Sequence, residues 1–156
     1  MSVECSDIQE AQLRDLFEYW DEKRRDRRMP LRSEVDPAEI PSLLPHMMLV
    51  DTAETLSDFR YRLFGTSVCQ GFGHDRTGVR FGDLPQIDNY DAVYEGYWLT
   101  YTTGEPQYFP GRIVSEQKDY ISYSRLTLPL SEVGAAVDMI LGGVVFFQTG
   151  KRGRWL

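Results

Sequence analysis

The spacing of hydrophobic positions changes three times along the chain, and each change marks a set of elements. Ser6 and Gln9 stand at capping-box spacing, and Leu13, Leu16, Phe17 and Trp20 then recur at i, i+3, i+4 and i+7. This predicts one amphipathic helix reaching about Arg28. Met29-Pro30 stops it, because proline lacks the N–H that a continuing helix needs and pushes the preceding residue out of helical geometry. Asp36-Pro37-Ala38-Glu39 then has an N-cap, a first-turn proline and a third-position acid, the start of a short helix that turns Ile40, Leu43 and Leu44 toward the core.

From His46 the period becomes two. A strand to Ala53 places Met47, Leu49 and Asp51 on one face and Met48 and Val50 on the other. A turn at Glu54–Ser57 leads into Asp58–Phe64, with Phe59, Tyr61 and Leu63 on one face and Arg60, Arg62 and Phe64 opposite. If Ala53 pairs with Asp58, Asp51 lies opposite Arg60 and Arg62 opposite Leu49. Gly65-Thr66 opens a short helix through Val68, Cys69 and Phe72, closed by Gly73. Asp88 caps a longer helix, Asn89 to Thr103, whose stripe of Tyr90, Val93, Tyr94, Tyr97, Trp98 and Tyr101 is rich in aromatics. Period two then returns in Gln107–Ser115, Tyr120–Leu130 and Val137–Phe147. The short loops between them require antiparallel neighbours, since parallel strands need a long crossover.

This order predicts an α+β fold: a five-stranded antiparallel sheet with helices on one face and an extra N-terminal helix, free to cover the other face or a partner. The expected organisation is an N-terminal amphipathic helix over 1–28, a single domain over 29–149 and a loose tail over 150–156. A hydrophobic fraction of 42% in 156 residues supports a core of ordinary size. The net charge of −7 argues against a nucleic-acid partner, which calls for clustered Lys and Arg. The one basic run, Lys23 to Arg28, contains Asp26 and closes a helix, where cations suit the macrodipole. No window approaches the roughly 20 apolar residues of a membrane span, and Met1 to Glu10 has no basic segment followed by an apolar run. A cytoplasmic protein is expected.

Several local patterns, in this order, resemble PAS sensory domains, and in particular a family of small, mostly stand-alone PAS-like proteins of alphaproteobacteria. They are Tyr19-Trp20, Pro30-Leu31-Arg32, Asp36-Pro37-Ala38-Glu39-Ile40, Leu44-Pro45, Phe59-Arg60-Tyr61-Arg62-Leu63 with Gly65-Thr66, Phe72-Gly73, Thr77-Gly78, Leu126-Thr127-Leu128-Pro129-Leu130-Ser131 and Met139-Ile140-Leu141-Gly142. The resemblance implies a PAS-like fold and a role in sensing or protein interaction. It does not fix a cofactor, since PAS domains hold flavin, haem, small acids or nothing visible.

Candidate chemistry narrows the choice. Cys69 lies where flavin photosensors of this fold carry their cysteine, but Ser67-Val68-Cys69-Gln70-Gly71-Phe72 lacks the asparagine, arginine and leucine of their motif. The long helix contains no histidine to ligate haem. Two cysteines and two histidines, far apart, indicate neither a disulfide framework nor a metal site. No cofactor is therefore identified, and the expected role is non-catalytic: binding a small molecule, a protein partner in signalling, or both.

The candidate pocket between the aromatic helix and the sheet comprises Arg62, Val68, Phe72, Phe81, Tyr97, Tyr101, Phe109, Arg112 and Leu126. Arg62 and Arg112 suit a ligand carboxylate by their fork geometry, or pair with Asp51, Glu105 or Asp138 instead. The aromatic stripe either lines a cavity or forms packed core. Leu13, Leu16, Phe17 and Trp20 are the candidate homodimer interface. Two rival readings stay open: a cone-shaped isomerase or dehydratase using Tyr97 with Asp51 or Asp138, and an interaction-only module with a filled core.

Overall fold

A computed structural model describes residues 3–84, 90–114, 120–148 and 154–155. Helix α1, Ala11–Arg24, comes first. Strands β1, Met47–Asp51, and β2, Arg60–Phe64, form a hairpin followed by helix α2, Thr66–Phe72. Helix α3, Tyr90–Thr103, leads into a meander of β3, Gln107–Val114, β4, Tyr120–Leu130, and β5, Met139–Gln148. The sheet order is β2-β1-β5-β4-β3, and every adjacent pair is antiparallel. β1 and β5 thus meet in the centre of the sheet, whose strands are antiparallel as expected. The expected cap residue Asp88 lies outside the described residues, as do most of residues 150–156. Arg154 and Trp155 are not loose, however: they pair with Gln148 and Phe147 as a two-residue strand, β6.

The two faces of the sheet are covered by different helices. An added Cβ on Gly143 would stand 2.7 Å from Leu16 Cδ2 and 2.8 Å from Leu13 Cδ2, so this face of β5 meets α1. Leu126 pairs directly with Gly143, and Leu128 with Leu141, so both share that outer face. The indole N–H of Trp20 donates to Pro129 O at 2.9 Å and fixes the helix over β4. Leu13, Leu16, Phe17 and Trp20 are 1%, 1%, 6% and 1% exposed. Burying such a side chain stabilises by roughly 1.5–3 kcal/mol. The four residues expected at a homodimer interface are therefore used inside the chain, and the folded molecule does not present them to a second copy.

Helix α1 is shorter than its apolar pattern predicts. It begins at Ala11, after a separate 3-10 turn over Cys5–Asp7, and ends where Arg25 takes φ +60°. Beyond it, Arg28 donates to the carbonyl of Thr103, tying the post-helix segment to the C-terminus of α3. The predicted helix after Asp36 is a single 3-10 turn, Pro37–Glu39, because Pro41 lacks the N–H that would continue it. Ile40 and Leu44 are only partly buried, while Leu43 is in the core. Tyr19 ties this turn to α1: its hydroxyl accepts from Asp36 N at 2.9 Å and donates to Glu39 Oε1 at 2.8 Å.

A bulge changes the expected facing of β2. Val50 pairs with Tyr61 but Leu49 with Leu63, leaving Arg62 as the extra residue. Side-chain alternation restarts after it, so Phe64 joins Tyr61 inside, with their rings edge-on at 4.9 Å. Asp51 does pair with Arg60 across the strands.

Candidate functional site: the helix-facing interior

The inner face of the sheet carries Tyr123, Arg125 and Thr127 from β4, the parity opposite to its leucines. Thr127 Oγ1 lies 2.6 Å from Thr100 Oγ1 of α3, and the Arg125 guanidinium stands 4.9 Å from the ring of Tyr97. The same guanidinium lies 5.1 Å from the ring of Tyr123 and 5.6 Å from that of Phe109. Arg125 is 0% exposed. Such stacking returns about 2 kcal/mol to a desolvated cation, while taking a charge out of water costs several. Arg125 is the charged centre of this interior.

Rings surround it. Tyr61 packs tilted against Phe81 at 4.8 Å, and Phe81 packs tilted against Tyr94 at 4.5 Å and edge-on to Tyr97 at 5.2 Å. Burial pushes the Tyr97 phenol up to about 12, with its hydroxyl donating to Met48 Sδ at 3.4 Å. Burial, with Tyr97 and Tyr94 nearby, holds Tyr61 well above the ordinary phenol value. For Arg125 burial pulls proton affinity down, and the surrounding tyrosines more than offset it, leaving it raised. Neutral phenols around a permanent cation are the resulting electrostatic state at neutral pH.

Three glycines let the rings come this close. A Cβ on Gly71 would overlap the Phe146 ring, one on Gly96 the Phe109 ring, and one on Gly111 the Tyr123 ring. Backbone and ring faces are therefore in direct contact on α2, α3 and β3, leaving no room for even a methyl group at those points.

Of the expected pocket residues, Val68, Phe81 and Tyr97 are fully buried in this core. Phe72 packs edge-on to Phe146 at 5.2 Å, and Tyr101 edge-on to Phe59 at 5.4 Å. Phe109 lies between Arg125 and Gly96. Two expectations are corrected. Leu126 faces α1, because β4 presents the other parity to α3. Arg62 is exposed at the bulge and pairs with Asp51, its Nε 3.0 Å from both carboxylate oxygens. The backbone of Arg112 pairs with Ser122, and its side chain lies outside the described residues.

The rival catalytic pair is not assembled. Asp51 is held by Arg62, and the exposed Asp138 accepts from Glu132 N at 2.7 Å, while the Tyr97 hydroxyl is buried against Met48. Sequence reasoning missed Arg125 and Tyr123. The available signal was that Tyr123, Arg125 and Thr127 share one parity in a long strand.

A family model described as a PAS domain matches residues 8–145, most of the chain. The chain belongs to the PAS domain family. No curated protein matches it. Among solved structures, a Rhodobacter sphaeroides LOV protein is similar with a TM-score of 0.51 and 15% identity, covering 73% of this chain and 67% of that one. A point variant of RsLOV gives 0.50 and 15%, covering 75% and 69%. A light-oxygen-voltage domain studied with a flavin analogue gives 0.50 and 13%, covering 72% and 84%. These likenesses establish the PAS fold. Among the described residues, no helix is long and apolar enough to cross a membrane, and no group of His, Cys, Asp and Glu is placed to hold a metal ion.

Proposed function

We propose that this PAS domain is a non-catalytic signalling module that works through protein contacts, with its helix-facing interior acting as a fixed core. The observation carrying this reading is the direct contact of Phe146, Phe109 and Tyr123 with Gly71, Gly96 and Gly111. A ligand pocket of ordinary size encloses about 300–1,000 Å³. Here the corresponding space is taken by the rings of Tyr61, Phe81, Tyr94 and Tyr97 and by Arg125. The Cys69 thiol donates to Phe64 O at 3.6 Å, and burial raises its pKa, so it is not poised as a thiolate nucleophile.

A second reading is favoured by Arg125, whose guanidinium suits a small carboxylate bound among the tyrosine hydroxyls. One experiment separates them. The purified chain is scanned for absorbance above the protein band, then denatured, and the released material is analysed by mass spectrometry. The expected result is a colourless protein that releases nothing. A stoichiometric small acid, absent from Arg125→Met prepared in parallel, would overturn the fixed-core reading in favour of the second.

A further inference from the structure

A cavity of about 300 Å³ lies on the opposite side of the sheet from the aromatic interior, between the N-terminal segment, α1 and the start of β3. Its floor is formed by Phe17, Trp20 and Pro106, and its rim carries Glu4, Asp21 and Arg24. This volume is at the lower limit for a small-molecule site, room for one long side chain and too little for a cofactor of several fused rings. The Trp20 ring is held in a fixed orientation by its bond to Pro129 O. Its geometry is therefore preorganised, which lowers the cost of binding.

We propose that this cavity receives a cationic side chain, arginine or lysine, from a basic segment of a partner protein. The chain displays the intended contact on itself. The Arg24 guanidinium stands 5.0 Å from the Trp20 ring centroid, and its Nε is 2.6 Å from Asp21 Oδ1. An aromatic face with a carboxylate beside it is the pairing that selects a cation carried on an apolar stem. Glu4 adds a second carboxylate to the rim, so with Asp21 against Arg24 the rim retains excess negative charge. The overall charge of −7 also steers a basic partner inward and repels an acidic one. Arg24 is the resident cation, and the incoming side chain takes its place over Trp20.

The proposal rests on the protein-contact reading but is tested independently of it. The full-length chain, labelled with ¹⁵N, is titrated with a capped Gly-Arg-Gly-Arg-Gly peptide and with its glutamate counterpart. The expected result is saturable shifts of the amides around Glu4 and Asp21 with the arginine peptide alone. Arg24→Ala, which empties the cation position, should tighten binding. Glu4→Gln combined with Asp21→Asn should weaken it by roughly fivefold, the value of a partly exposed charge pair. Shifts that do not saturate, an affinity unchanged in the double variant, or a response to the glutamate peptide that disappears in Arg24→Ala would each overturn the proposal. A ligand released from the interior would instead overturn the fixed-core reading, whatever the titration gives.

Discussion

The two faces of the sheet are both buried, yet they are built from different chemistry. The outer face, under α1, is aliphatic: Leu126, Leu128, Leu141 and Met47 lie below Leu13 and Leu16, and its polar links lie at the edges. There Tyr108 donates to the buried Glu10 carboxylate at 2.6 Å, and Trp20 donates to Pro129 O. The inner face, under α3, is aromatic and charged at its centre, with Arg125 among Tyr97, Tyr123 and Phe109. One strand thus supplies two cores. β4 gives leucines at one parity and Tyr123, Arg125 and Thr127 at the other, and each helix finds a surface of its own kind.

The largest expected effect comes from the outer face. Trp20→Ala should lose about 3–5 kcal/mol, because it removes a buried ring over β4 and leaves Pro129 O without its donor. In a chain of this size that lowers Tm by roughly 10 °C, readable by circular dichroism. A loss under about 1 kcal/mol would mean that α1 is only loosely docked.

The inner face is tested by a change that has opposite signs in a filled and a slack interior. Gly71→Ala gains about 1 kcal/mol of helix propensity, but its Cβ overlaps the Phe146 ring, and overpacking costs about 1–3 kcal/mol. Phe146 is itself confined by Phe72 and Tyr123, so a net destabilisation is expected in urea denaturation. A stabilised variant would show that the interior has room to spare.

Acidification probes the point where the chain enters the sheet between the two faces. His46 leads into β1 with its Nδ1 buried and, among the described residues, without a hydrogen-bond partner, and burial lowers its pKa below the ordinary 6.5. The folded state therefore binds its proton less readily than the unfolded chain. Stability is full above about pH 6.5 and falls as pH drops toward the depressed folded value. The fall in Tm between pH 7.5 and 5.5 should be smaller in His46→Gln, and an unchanged profile would assign it to other groups.

The smallest effect is expected at the bulge. Arg62→Ala removes an ion pair whose side chains are 50% and 30% exposed, so it should cost under about 1 kcal/mol and leave the interior untouched. A larger loss would return Arg62 to the site from which its exposure removes it.

The site was legible only in part. Phe81, Tyr97 and Val68 could be assigned to one core because apolar residues at element-internal positions have nowhere else to go. Leu126 was misassigned, and Arg62 left the candidate pocket for the other partner considered for it, Asp51, each for a local reason. β4 is buried on both faces, so its apolar pattern could not say which helix it meets, and the aliphatic parity was matched to the wrong one. A single bulge residue at Arg62 reset the alternation of β2 and moved Phe64 inward, and a period-two rule has no means of locating such an insertion. Arg125 was overlooked because a charged residue ordinarily marks a solvated face, and here it occupies the most enclosed one.

The order of elements, their approximate ends and the antiparallel meander could be read along the chain. These follow from proline, glycine and hydrophobic period acting over a few residues. The same pattern required Leu13, Leu16, Phe17 and Trp20 to be buried. What buries them, which parity of β4 faces α3, and that a cavity opens beside Trp20 emerged only on folding. Those outcomes depend on how surfaces distant in sequence match in shape and charge, and no local pattern carries that information.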